Sequence, residues 1–154
     1  MPKVVLFLCT GNYYRSRFAQ VLFNHLARLR ELDWRALSRG LNIRCPGNIG
    51  AMSRDAEHRL AEMGVSLEES RHMPLRCRAC DLDAADLIVA VKEAEHRPML
   101  AEQFPDWQQR ATYWHVHDVE AAAPAEALAE IERHVVALVE RLDDAAFRGQ
   151  SSST

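Results

Sequence analysis

The chain reads as an α/β fold with a parallel sheet, folded as one domain. Two apolar runs, Lys3-Val-Val-Leu-Phe-Leu8 and Asp86-Leu-Ile-Val-Ala-Val91, look like strands buried on both faces, as strands of a parallel sheet are. A helical pattern follows each run, and strands alternating with helices lead to a parallel sheet joined by helical crossovers. The length of 154 residues fits one domain, and 48% hydrophobic content is enough for a single packed core.

The elements follow in order. After the first strand, Cys9-Thr-Gly-Asn-Tyr-Tyr14 interrupts the apolar run. From Arg15 onward Phe18, Leu22, Leu26 and Leu29 recur at steps of three and four, with Ala19 and Phe23 widening the stripe, which predicts an amphipathic helix. Trp34 to Ser38 is a candidate strand ending at Gly40, and a Gly/Pro-containing loop runs on to Gly50. A helix is expected from about Ser53, a good N-cap, to Met63, closed by Gly64. The Asp86–Val91 strand leads into a polar helical stretch, and Ala111 to Val116 is a candidate fourth strand. In the last helix Leu128, Ile131, Val135, Leu138 and Leu142 keep the helical spacing, with Pro124 where a first turn accepts it. Residues 1–148 are expected to form the domain and residues 149–154 a disordered tail.

A formal net charge of −3 gives no sign of a general nucleic-acid binder. No apolar stretch reaches the length of a signal peptide or membrane span, so a cytoplasmic location without membrane association is expected. In that compartment the four cysteines, Cys9, Cys45, Cys77 and Cys80, stay reduced rather than forming a disulfide framework.

The chemistry gathers at the first strand-loop-helix unit. Cys9 stands at the carboxyl end of a strand, the edge where open α/β sheets bind ligands. Five residues separate it from Arg15, enough to wrap backbone N–H groups around a tetrahedral oxyanion, and Gly11 and Asn12 tolerate the left-handed backbone such a loop needs. A helix N-terminus points at the same spot. Converging donors, that terminus and Arg15 all favour the nucleophilic thiolate. The guanidinium of Arg15 matches two phosphoryl oxygens, and the Ser16 hydroxyl is placed to donate to the sulfur. The bland alternative, a buried cysteine ahead of an ordinary helix, does not account for the whole set.

The run Cys9-Thr10-Gly11-Asn12-Tyr13-Tyr14-Arg15-Ser16 closely resembles the active-site signature of low-molecular-weight protein tyrosine phosphatases and the related arsenate reductases. The resemblance extends along nearly the whole chain, through Ser38-Arg39-Gly40, the Gly64-Val65 turn and the Asp86–Val91 strand. It implies a three-layer fold with a four-stranded parallel sheet flanked by helices, and no metal or organic cofactor. It implies catalytic roles for Cys9, Arg15 and Ser16, with Thr10, Gly11, Asn12, Tyr13, Tyr14 and Arg15 holding phosphate. The family's general acid is a late loop aspartate, and Tyr113-Trp-His-Val-His-Asp118 falls at the matching place, which points to Asp118. The expected substrate is a phosphorylated protein or a small phosphomonoester.

Departures from the family bear on specificity. Val119 follows Asp118 where proline is usual, and Glu120 and Ala121 stand where phosphotyrosine-specific members carry aromatics. Tyr14 replaces a second loop cysteine, and Lys92 follows the third strand where many members have aspartate. A thiol-dependent arsenate reductase is the first rival, but the strand ending at Val91 is not followed by relay cysteines. A phosphate- or phosphoprotein-binding module without turnover is the second. Cys77-Arg-Ala-Cys80 supplies only two zinc ligands, so a metal or redox role for it is a minor reading.

Overall fold

A computed structural model describes residues 1–44, 48, 50–68, 71–116 and 124–151. Four strands, β1 (Lys3–Cys9), β2 (Trp34–Gly40), β3 (Leu87–Ala90) and β4 (Thr112–Tyr113), form one sheet in the order β2-β1-β3-β4. Every pairing is parallel, with Cys9 opposite Gly40 and Leu8 opposite Ala90. The helices are α1 (Arg15–Leu29), α2 (Arg54–Glu62), α3 (Ala79–Ala84), α4 (Glu93–Gln103) and α5 (Pro124–Ser151). This is the three-layer, four-stranded arrangement expected from the sequence.

The period of two along β1 divides the interior between the sheet's faces. Val5, Phe7 and Cys9 belong to one buried cluster with Phe18, Leu22 and Phe23 of α1 and Leu128, Ile131 and Val135 of α5. Leu6 and Leu8 belong to the other, with Ile88 and Ala90 of β3, Leu82 of α3 and Leu100 of α4. The apolar runs are thus buried on both sides because helices cover both.

Local signals set the ends of α2. The Ser53 side chain accepts from the Ala56 amide, and Gly64 takes φ +72° just past the last turn. Three details differ from expectation. Leu29 closes the α1 stripe in sequence but, as the last residue of the helix, is 69% exposed. The short helix α3 and a 3₁₀ turn at Pro105–Trp107 lack a periodic apolar signature, being too short to show one. Helix α5 continues to Ser151, so residues 149–151 of the expected tail are helical, following Ala145, Ala146 and Arg148, which are good helix formers.

Candidate active site

The parallel register places the carboxyl ends of β1, β2 and β3 along one edge, so whatever follows each strand meets there. The loop from Thr10 to Tyr14 leaves β1 and returns into α1. Its carbonyls are held from outside: Leu41 N–H donates to Cys9 O (2.9 Å), Asn42 N–H to Thr10 O (2.9 Å) and Ser53 N–H to Tyr13 O (3.0 Å). No side chain caps α1, whose first turn is an end that favours negative charge.

Asn12 sits at the centre of this loop. It is fully buried and takes φ +50°, the left-handed region that asparagine tolerates better than most residues. The Leu75 amide donates to its Oδ1 (2.9 Å), which orients the side-chain amide, and Nδ2 then donates to Ser16 Oγ (3.0 Å) and Ser38 Oγ (2.9 Å). Ser38 passes its own proton to Gln20 Oε1. Because Ser16 Oγ already accepts from Asn12, its hydroxyl hydrogen is left for Cys9 Sγ, 2.9 Å away. The network therefore ends with a donor aimed at the sulfur.

Gly40 is required by close approach. A Cβ there would lie 2.6 Å from Ile43 Cγ2, 2.8 Å from Thr10 O and 3.1 Å from Asn12 Cβ. Any larger residue would push on the backbone of the loop.

Arg15 is buried at the start of α1, and its fork grips Glu95, with Nη1 donating to Oε2 (2.9 Å) and Nη2 to Oε1 (3.1 Å). Thr10 Oγ1 also donates to Glu95. The next residue, His96, is fully buried; its Nδ1 accepts from the Lys92 amide (3.1 Å), so the neutral ring carries its proton on Nε2, 3.2 Å from Thr10 Oγ1. A directed chain results: His96 donates to Thr10, Thr10 donates to Glu95, and Glu95 orients Arg15.

Electrostatics agree with that chain. Burial alone would raise the Glu95 carboxyl, but hydrogen bonds from Arg15 and Thr10, and then the Arg15 charge, outweigh it and hold the group down at about 2. Burial pushes His96 down to about 4, with the Arg15 charge acting in the same direction, so the ring is neutral at pH 7. Burial, and then Asp55, raise the Tyr14 phenol to about 12.

Cys9, Asn12 and Ser16 thus share one hydrogen-bond network and Thr10 and Arg15 meet at Glu95 in another, and Gly11, Tyr13 and Tyr14 complete the loop. Asp118 and its neighbours from His117 to Ala123 lie outside the described residues. Glu95 and His96 were not anticipated from sequence. The available signal was positional: β3 is next to β1, so the first turn of the helix after β3 must face the Cys9 loop. Lys92, at the aspartate position of many relatives, is instead the N-cap residue of α4. Cys77 is buried and Cys80 exposed at the start of α3, both as free thiols, and burial raises the Cys77 thiol to about 12. Among the described residues no three His, Cys, Asp or Glu side chains gather as a metal site.

Known proteins share this fold. No curated protein matches the chain. The low molecular weight protein tyrosine phosphatase of T. tengcongensis is 28% identical, with a TM-score of 0.75 over 90% of this chain and 99% of that one. The Streptococcus pyogenes low molecular weight protein tyrosine phosphatase shares the fold at 16% identity, with a TM-score of 0.76 over 91% of this chain and 93% of its own. The YwlE arginine phosphatase of Geobacillus stearothermophilus does so at 21% identity, with a TM-score of 0.72 over 99% and 98% of the two chains. The sequence profile of the low molecular weight phosphotyrosine protein phosphatases matches residues 4–147, and the chain belongs to that family of cysteine-dependent phosphoric monoester hydrolases.

Proposed function

We propose that Cys9 is the nucleophile of a two-step phosphomonoester hydrolysis carried out by a domain spanning residues 1–148. The observation that carries this reading is the Cys9 sulfur at the end of β1, 2.9 Å from the Ser16 hydroxyl and at the base of a loop whose carbonyls are tied outward. Cys9 attacks phosphorus in line, displacing the alcohol oxygen and forming phosphocysteine. The loop amides of Thr10 to Arg15 and the Arg15 guanidinium hold the equatorial oxygens, and that preorganised charge supplies most of the rate enhancement. Ser16 stabilises the sulfur when it leaves in the second step. Asp118 protonates the departing oxygen and then takes a proton from the water that attacks phosphocysteine, releasing inorganic phosphate.

The substrate class is a phosphotyrosyl protein, supported by family membership and by Tyr13 in the loop, an aromatic wall for a phenyl ring. The location is cytoplasmic, in keeping with the lack of any described helix long and apolar enough to cross a membrane.

Purified protein with reductant and no added metal is expected to hydrolyse p-nitrophenyl phosphate, and Cys9→Ser to abolish turnover. Asp118→Asn should slow hydrolysis of an alkyl phosphate, a poor leaving group, far more than that of p-nitrophenyl phosphate; equal slowing of both would remove Asp118 from the acid role. Phosphotyrosyl and phosphoarginyl peptides compared side by side test the substrate class, and a higher kcat/KM on phosphoarginine would overturn the tyrosine reading.

A further inference from the structure

Arg17, two residues beyond Arg15, is a second guanidinium packed wholly inside the protein. Burying a charged group is costly, so such a residue persists where its donors are needed. Its Nε donates to the main-chain oxygen of Asn12 (3.1 Å), and its Nη2 donates to the main-chain oxygen of His72 (2.6 Å), with His72 Nδ1 3.0 Å from the same nitrogen.

These contacts tie three elements together. Asn12 is the left-handed residue of the loop, and the segment after His72 returns to it through Leu75, whose amide donates to Asn12 Oδ1 (2.9 Å). That segment is in turn fixed to the end of β2, since Gly40 N–H donates to Leu75 O (2.8 Å) and Cys77 N–H to Gly40 O (2.9 Å). Arg17 therefore closes a ring of contacts running from Asn12 through residues 72–75 to Gly40, which itself lies opposite Cys9.

We propose that Arg17 is a positioning residue for oxyanion binding: it holds the Asn12 carbonyl against the His72 segment, and so keeps the loop in its anion-accepting shape. The proposal rests on reading this loop as the phosphate site. Burial lowers the Arg17 pKa to about 10, the Cys9 charge acting the other way, so the side chain stays cationic at neutral pH and donates through Nε and Nη2. In Arg17→Met the Asn12 carbonyl loses this donor in a dry interior, the left-handed turn relaxes, and the amides on its concave side lose their common focus. Arg17→Lys keeps the charge but reaches one carbonyl instead of two.

The test compares wild type, Arg17→Met and Arg17→Lys as full chains. Binding of inorganic phosphate is read from protection of Cys9 against iodoacetamide, and from the rise in Tm that phosphate produces, which is internally referenced to each variant's own stability. Arg17→Met is expected to weaken phosphate binding about tenfold or more, and Arg17→Lys by roughly two- to tenfold. Should Arg17→Met fail to fold, Arg17→Lys carries the same expectation. Phosphate affinity within the error of wild type in a folded variant, even with a lowered Tm, would overturn the positioning role and leave Arg17 a stability residue only. Neither readout needs turnover: a wild type that phosphate does not protect would count against the phosphate site itself, whereas a protected wild type matched by both variants would count against Arg17 alone.

Discussion

Glu95 and His96 are adjacent in sequence, yet their environments move both groups down for different reasons. Glu95 is held as a carboxylate by Arg15 and Thr10 against the cost of its burial, and His96 is kept neutral by burial. Both shifts make folding sensitive to acid in the same direction. In the folded state His96 binds its proton only near pH 4, whereas an ordinary histidine does so near 6.5, so stability is lost as pH falls through that window. Glu95 adds a second loss between its ordinary value of 4.5 and about 2. Urea denaturation at pH 7 and pH 5 should therefore show a smaller difference in His96→Gln than in wild type, and an unchanged difference would contradict the buried neutral ring. Glu95→Gln keeps a hydrogen-bond acceptor but loses the charge opposite Arg15, so the melting temperature at pH 7 should fall together with kcat/KM, and an unchanged melting temperature would contradict the stabilising pair. At this scale the sequence was legible where the chemistry is contiguous: Cys9 to Ser16 form one uninterrupted run whose residue types announce an oxyanion loop. It was not legible where partners come from distant helices, because the Arg15–Glu95 pairing spans 80 positions and depends on how α4 docks. Arg17 was hidden for a related reason, since an arginine inside a helix pattern reads as solvated surface until its burial is known.

Gly40 and Gly64 end two different elements, and the same substitution should separate their roles. Gly40 closes β2 under the loop, with no room for a Cβ beside Thr10 O and Asn12 Cβ. Gly40→Ala forces the loop backbone to move and is expected to cost about 1–3 kcal/mol of stability together with a loss of phosphate affinity. Gly64 has open space around it but φ +72°, so Gly64→Ala strains only the end of α2, by about 1–2 kcal/mol, and should leave phosphate affinity intact. Equal effects of the two on phosphate binding would contradict the close approach at Gly40. Element boundaries were readable where end signals are chemical. The Ser53 cap and Gly64 turn of α2, and the Arg15 start of α1, stand where sequence reading put them within a residue or two. Helix α3, with only six residues, carries no period to detect, and its identity comes from its packing on Leu6 and Leu8.

On the scale of the whole molecule, the fold explains why one short loop can hold so many converging groups. A parallel sheet lines up its strand ends, and β1 stands between β2 and β3, so Cys9 has Gly40 on one side and the approach to α4 on the other. The apolar runs made a doubly covered sheet legible; the strand order was not, because β1 and β3 are apolar on both faces alike and only the completed packing of α1 and α5 on one side and α3 and α4 on the other distinguishes their places. That arrangement makes a central chemical claim, that the phosphoryl group passes through the Cys9 sulfur. Rapid acid quench of the protein during p-nitrophenyl phosphate turnover, followed by mass spectrometry of the peptide containing Cys9, measures this most directly. The account predicts a phosphoryl adduct on Cys9 that accumulates in Asp118→Asn and is absent from Cys9→Ser. Turnover without an adduct in Asp118→Asn, or with an adduct on another residue, would contradict it.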